Sequence, residues 1–153
     1  MNRLDQTEVM AYFSLFGETF PTDEVTEMLG IEPTEVYNKG EFIVRSPNPN
    51  VVTKGRIYRK ETSWSFGTVY EKSFDIKYQL DQILKPLENK VEIINRLKKA
   101  YNLTAQITIV IKMEDGATPG LHLDRDQIEF ANQVGAEFDI DLYANPYKGN
   151  FED

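Results

Sequence analysis

Gln106-Ile107-Thr108-Ile109-Val110-Ile111-Lys112 is the stretch on which the fold turns. A strand directs successive side chains to opposite faces, so Ile107, Ile109 and Ile111 aim at a core while Gln106, Thr108 and Lys112 face away. Such alternation calls for a sheet buried on one face, with helices as its cover. Toward the C-terminus, a loop containing Gly and Pro leads into a short extended piece, Leu121-His122-Leu123. Asp124 followed three residues later by Gln127 has the spacing of a capping box, which predicts a helix from there to Gly135. A last strand, Glu137-Phe138-Asp139-Ile140-Asp141-Leu142-Tyr143, should bury Phe138, Ile140 and Leu142. The polar stretch 144–153 is expected to fray.

Toward the N-terminus, Glu88–Tyr101 reads as a helix with Val91, Ile94, Leu97 and Tyr101 as its buried stripe, and Lys98 and Lys99 suit its C-terminal end. A preceding helix is expected from a Ser73 N-cap to Leu84, with Phe74, Tyr78, Leu80, Ile83 and Leu84 at helical spacing. Pro86, which has no N–H to donate, should break or kink it. In Ser63–Tyr70 the alternation puts Trp64, Phe66, Thr68 and Tyr70 on one face, and a Trp in such a strand belongs to the core. Between Tyr37 and Thr62 the turn-forming cluster Ser46-Pro47-Asn48-Pro49-Asn50 fits a hairpin or a mobile loop equally well. Earlier still, Thr22 reads as the N-cap of a helix carrying Val25, Met28 and Leu29, closed by Gly30 in the left-handed conformation and stopped by Pro33. The aromatic-rich run Tyr12–Phe16 before it reads as a strand buried on most of its surface and ending at Gly17.

Together these elements predict a single α+β domain over residues 1–153, a mostly antiparallel sheet with helices packed on one face. Strand, helix and Gly-terminated turn occur near both ends, closing on Gly30-Ile31-Glu32 and Gly135-Ala136-Glu137. That recurrence suggests a duplicated, ferredoxin-like arrangement of two β-α-β halves.

Composition narrows the class. Hydrophobic residues make up 41% and charged residues 27%, which suits a folded domain. The absence of cysteine removes disulfide scaffolds, thiolate metal sites and cysteine nucleophiles together. With no basic, apolar leader and no run long enough to span a bilayer, the expected location is cytoplasmic, without membrane contact.

Seventeen basic against 25 acidic side chains give a net charge of −8. The charge is segregated: residues 1–50 hold three basic and nine acidic groups, 51–102 eleven and six, and 103–153 three and ten. Overall acidity disfavours nucleic acid as a partner. The basic positions 54, 56, 59, 60 and 72, which flank Tyr58 and Tyr70, read as the charged guard of an edge strand.

Four stretches, Asp23-Glu24-Val25-Thr26-Glu27-Met28-Leu29-Gly30-Ile31-Glu32-Pro33-Thr34, Thr62-Ser63-Trp64-Ser65, Asp75–Lys99 and Leu121–Tyr143, carry a family likeness. The chain resembles the bacterial domain-of-unknown-function family 4279, most specifically in the Leu-Gly-Ile-Glu-Pro-Thr turn and the Trp strand. The resemblance implies a stand-alone α+β domain from a bacterium, Gram-positive in type, and supplies no activity and no catalytic residue.

Chemistry-bearing candidates are few. His122, Asp124 and Asp126 are the only imidazole and carboxylates close in sequence, and a strand-to-turn context could put residues 122 and 124 on one side for a metal or for acid–base work. Capping by Asp124 and a first-turn position for Asp126 account for the same residues without a site. Glu137, Asp139 and Asp141 alternate on the outward face of the last strand, where they form either a solvated face or an acidic surface for a basic protein. No phosphate-binding loop, nucleophile elbow or zinc-protease motif is present.

The residues therefore assign no catalytic group, no metal and no cofactor. They favour a cytosolic interaction module, such as an immunity-type protein that binds a basic toxin through Glu137, Asp139 and Asp141. The alternative is a small ligand-binding or hydrolytic domain using the His122, Asp124 and Asp126 region. Neither partner identity nor oligomeric state follows from the residues.

Overall fold

The computed structural model describes residues 6–43 and 57–144. The Ser46–Asn50 cluster, residues 54 and 56 and the tail beyond Ala144 lie outside the described residues.

The elements run β1 (Glu8–Gly17), α1 (Thr22–Leu29), β2 (Glu35–Tyr37), β3 (Thr62–Gly67), β4 (Glu71–Lys72), α2 (Lys77–Leu84), α3 (Val91–Tyr101), β5 (Thr104–Met113), α4 (Arg125–Gln133) and β6 (Glu137–Ala144). The strands form one open, mostly antiparallel sheet in the order β2-β3-β1-β5-β6, with β4 paired to the start of β1. Only β6 runs parallel to its neighbour, β5. The two β-α-β units differ in wiring: β5-α4-β6 joins adjacent strands, whereas β3 sits between β1 and β2. Gly30 and Gly135, which close the two helices, both have positive φ, +67° and +62°.

One face of the sheet carries the core. Val9, Ala11, Phe13 and Leu15 of β1, Trp64 of β3, and Ala105, Ile107, Ile109 and Ile111 of β5 meet the apolar stripes of all four helices. Trp64 is fully buried, and its indole Nε1 donates to Thr26 Oγ1 at 3.0 Å, which satisfies the polar end that burial would otherwise penalise. The Asp124–Gln127 capping box forms in both directions, each bond 2.9 Å long. Pro86 ends α2 in a single 3₁₀ turn, Lys85–Leu87.

Tertiary pairing overrides several local signals. β1 starts at Glu8, four residues before the aromatic run, because β4 and β5 both pair with its first half. Thr22 is the first helical residue of α1, not its cap; the N-cap is Pro21, which has no side-chain oxygen to offer. Ser73 caps no helix. Gly120 instead bridges Asp75, donating to Phe74 O at 2.5 Å and accepting from Ile76 N at 3.1 Å, so α2 begins at Lys77 and leaves Phe74 and Tyr78 exposed. The Trp64 alternation stops at Gly67. Thr68 Oγ1 turns back to accept from Ala11 N, Val69 is exposed, and Tyr70 stacks under Lys112 Nζ at 3.9 Å, away from the face of Trp64.

Segment 38–61, ambiguous by sequence, has paired ends: Phe42 bridges Tyr58, and Ile43 N donates to Ile57 O at 2.8 Å. These described ends run antiparallel to each other, and the turn-forming cluster between them lies outside the described residues.

In β6 the expected burial of Phe138, Ile140 and Leu142 is reached only in part. Phe138 and Ile140 are half-buried against the core, but Leu142 is 58% exposed. An edge strand has a neighbour on one side only, so its apolar row is covered on one flank.

Candidate functional site

The face of the sheet opposite the helices is where chemistry-bearing side chains gather. Cross-strand register sets its rows. Glu35, Ser65, Ser14, Gln106 and Glu137 lie across the sheet from β2 to β6; in the next row come Gly67, Tyr12, Thr108 and Asp139, and beyond it Met10, Val110 and Asp141. Ser14 and Ser65 share a buried hydrogen bond of 2.8 Å between their hydroxyls. Thr108, expected to face solvent, does point away from the helices but is only 2% exposed, flanked in its row by Tyr12 and Asp139. A groove of about 460 Å³ runs beside them, lined by Met10, Tyr12, Glu35, Ser65, Thr68 and Tyr70 among others.

Tyr12 reports the electrostatics of this face. Burial pushes its phenol above the ordinary value, a hydrogen bond with Thr108 opposes that shift, and the negative charges of Asp141, Asp139 and Glu35 add to it. Carboxylates from both ends of the sheet thus act on one phenol at its centre.

The structure places Glu137, Asp139 and Asp141 on this face, at alternate positions of β6. Glu137 and Asp139 are exposed and Asp141 is half-buried. Among the described residues none of the three has an ion-pair or hydrogen-bond partner. Lys112, the cation nearest in register, lies over Tyr70, and Arg59 lies over Tyr37 at 4.0 Å.

His122, Asp124 and Asp126 are not brought together as a site. His122 is exposed on the segment before α4. Asp124 uses Oδ1 to accept from Gln127 N and Oδ2 to accept from Lys77 Nζ at 2.7 Å. Lys77 also pairs with Asp81 at 3.0 Å within α2, and Asp81 accepts from Gln127 Nε2 at 3.3 Å, so that Asp124 and Gln127 together tie α4 to α2. The Lys77 ammonium holds the Asp124 carboxyl below its usual range, and the two carboxylates raise Lys77. A cleft of about 350 Å³ beside this pair is lined by Asp124 and Asp126 but not by His122. No group of three potential metal-ligating side chains occurs among the described residues.

Sequence reasoning missed Tyr12, Met10 and Glu35. The signal for Tyr12 was present, since Met10, Tyr12 and Ser14 alternate with Ala11, Phe13 and Leu15; reading β1 as buried on most of its surface concealed it. Glu35 carried no such signal, because β2 is three residues long.

A family model described as Domain of unknown function (DUF4279) matches residues 7–145. No curated protein and no solved structure matches the chain. No described helix is long and apolar enough to cross a membrane.

Proposed function

We propose that this chain, which belongs to the DUF4279 family, is a protein-binding module that receives a basic partner on the face of its sheet opposite the helices, at β6. The observation that carries this reading is the row of three carboxylates on β6 with no cation against them among the described residues. Like charges at alternate positions of a strand repel, and a cationic surface docked on them relieves that repulsion. The net charge of −8 steers such a partner toward the domain from a distance, and salt weakens that steering. A bacterial immunity-type protein, holding a basic toxin in the cytoplasm of the producing cell, is the setting that best fits this chemistry.

The test compares two variants of equal charge change. One carries Glu137→Gln, Asp139→Asn and Asp141→Asn; the other carries Glu27→Gln, Glu88→Gln and Glu92→Gln, exposed positions in or beside the helices α1 and α3 and not on β6. With an oligolysine peptide as probe, and with any basic secreted protein encoded beside the gene, the first variant should bind about tenfold more slowly, with a flatter salt dependence. The second should bind nearly as the wild type does. Equal loss in both would reduce the effect to net charge and remove β6 from the interface.

A further inference from the structure

Among the described residues β6 is the last strand of the sheet, and only β5 is paired with it. In any edge strand every second residue turns its N–H and C=O outward, where they template another strand. Among the described residues no backbone group outside β5 bonds to residues 137–144. Both side-chain rows of this edge are also incomplete. On the helix side Phe138 and Ile140 are half-buried and Leu142 is mostly exposed; on the other side Glu137, Asp139 and Asp141 lack cations. Like-charged side chains on an edge commonly serve only to keep strands apart. A guard of that kind does not require the apolar row beside it to be left partly bare.

From this juxtaposition we infer that the partner binds by strand addition: an extended segment with alternating basic and apolar residues pairs along the free edge of β6. The two-residue period of a strand would set all its basic side chains beside Glu137, Asp139 and Asp141, and all its apolar ones beside Phe138, Ile140 and Leu142. Main-chain bonds would supply affinity and the alternating side chains specificity. A second copy of this chain is a poor occupant. Antiparallel pairing of β6 with itself sets carboxylate against carboxylate, which costs stability. Residues 145–153, with one Lys against Glu152 and Asp153, lack the required charge as well.

This inference rests on the function proposed above and deepens it, so the experiment must separate the two. The probe is a capped heptapeptide of alternating lysine and valine. Its comparators are an isomer with the four lysines grouped at one end, and two versions methylated on the backbone nitrogens of either the valines or the lysines. Titration at low salt is followed by fluorescence anisotropy, and amide hydrogen exchange is read across residues 137–144 of the full chain.

The alternating peptide should bind at least about tenfold more tightly than the grouped isomer and slow exchange in β6. Only one edge of the peptide can pair, so one methylated version should lose about tenfold or more in affinity and the other little. Equal binding of the two isomers with unchanged exchange would overturn strand addition while leaving the acidic docking surface in place. Failure of every peptide to bind would overturn both. Slow exchange of the outward amides before any peptide is added would mean that the chain itself or a second copy already holds the edge, and would also overturn the inference.

Discussion

Replacing Gly67 by alanine tests how closely β1 and β3 approach on the side of the sheet opposite the helices. Gly67 pairs with Tyr12, and a Cβ built there would lie 2.7 Å from the Ala11 carbonyl oxygen, 3.1 Å from Tyr12 Cα and closer still to Tyr12 Cβ. All three obstacles belong to the β1 backbone or to a first side-chain carbon, so no rotamer change removes them. The strands must separate, which weakens the 2.8 Å bond from Thr68 N to Ala11 O and displaces Tyr12 from Thr108. Overpacking of this kind costs roughly 1–3 kcal/mol, and the rigid obstacles place this case at the upper end, near 3 kcal/mol. Loss of glycine's freedom in the unfolded chain returns about 0.4–1 kcal/mol, for a net loss of about 2 kcal/mol.

Gly30→Ala is the internal control, because Gly30 has φ +67° and nothing within 4 Å of a built Cβ. Only backbone strain is at stake there, about 1–2 kcal/mol. Equilibrium urea denaturation gives both values. Near-ultraviolet dichroism should change for Gly67→Ala alone, since only that substitution moves an aromatic side chain. A Gly67→Ala protein within about half a kcal/mol of the wild type and spectroscopically identical to it would refute the described approach of β1 to β3.

Ile109, fully buried between Ala11 and Ile140 in register, should lose roughly 2–5 kcal/mol on truncation to Ala, and a loss under about half a kcal/mol in denaturant would be incompatible with its place in the core. The pairing of Asp124 with Lys77 predicts a pH dependence. A carboxyl whose folded pKa is lowered adds stability above its unfolded value, and that stability is lost as pH falls through the folded value, so the contribution should begin to decline near about pH 4 and be gone only below the lowered folded value. Lys77, raised by the same partners, loses its contribution only in strongly alkaline solution. Asp124→Asn should therefore flatten the acid limb of a stability–pH curve while leaving α4 capped by the amide oxygen, and an unchanged acid limb would contradict the pairing. Purified protein should carry no stoichiometric transition metal, and one metal per chain that disappears with His122→Ala would promote the alternative centred on Asp124 and Asp126.

Much of this molecule is legible in short windows of sequence. The alternation of β5, the Asp124–Gln127 capping box, the glycines that close α1 and α4, and the break at Pro86 each depend on groups a few residues apart, so neighbours along the chain suffice to specify them. Alternation also assigned Glu137, Asp139 and Asp141 to one face, because a strand's two-residue period does not depend on what lies beside it.

What alternation leaves open is which strand becomes the neighbour. Only the order β2-β3-β1-β5-β6 makes β6 an edge, exposes Leu142, and brings Tyr12 and Glu35 into one electrostatic neighbourhood with Asp139 and Asp141. The same long-range pairing drew β1 back to Glu8 and bridged Asp75 to Gly120 where spacing alone favoured helix. Local preferences of a fraction of a kcal/mol per residue yield when a competing pairing satisfies buried backbone groups and closes a core. The identity of the longer elements was therefore written locally, whereas the short strands, the cover of β6 and the composition of the candidate site were decided by strand order.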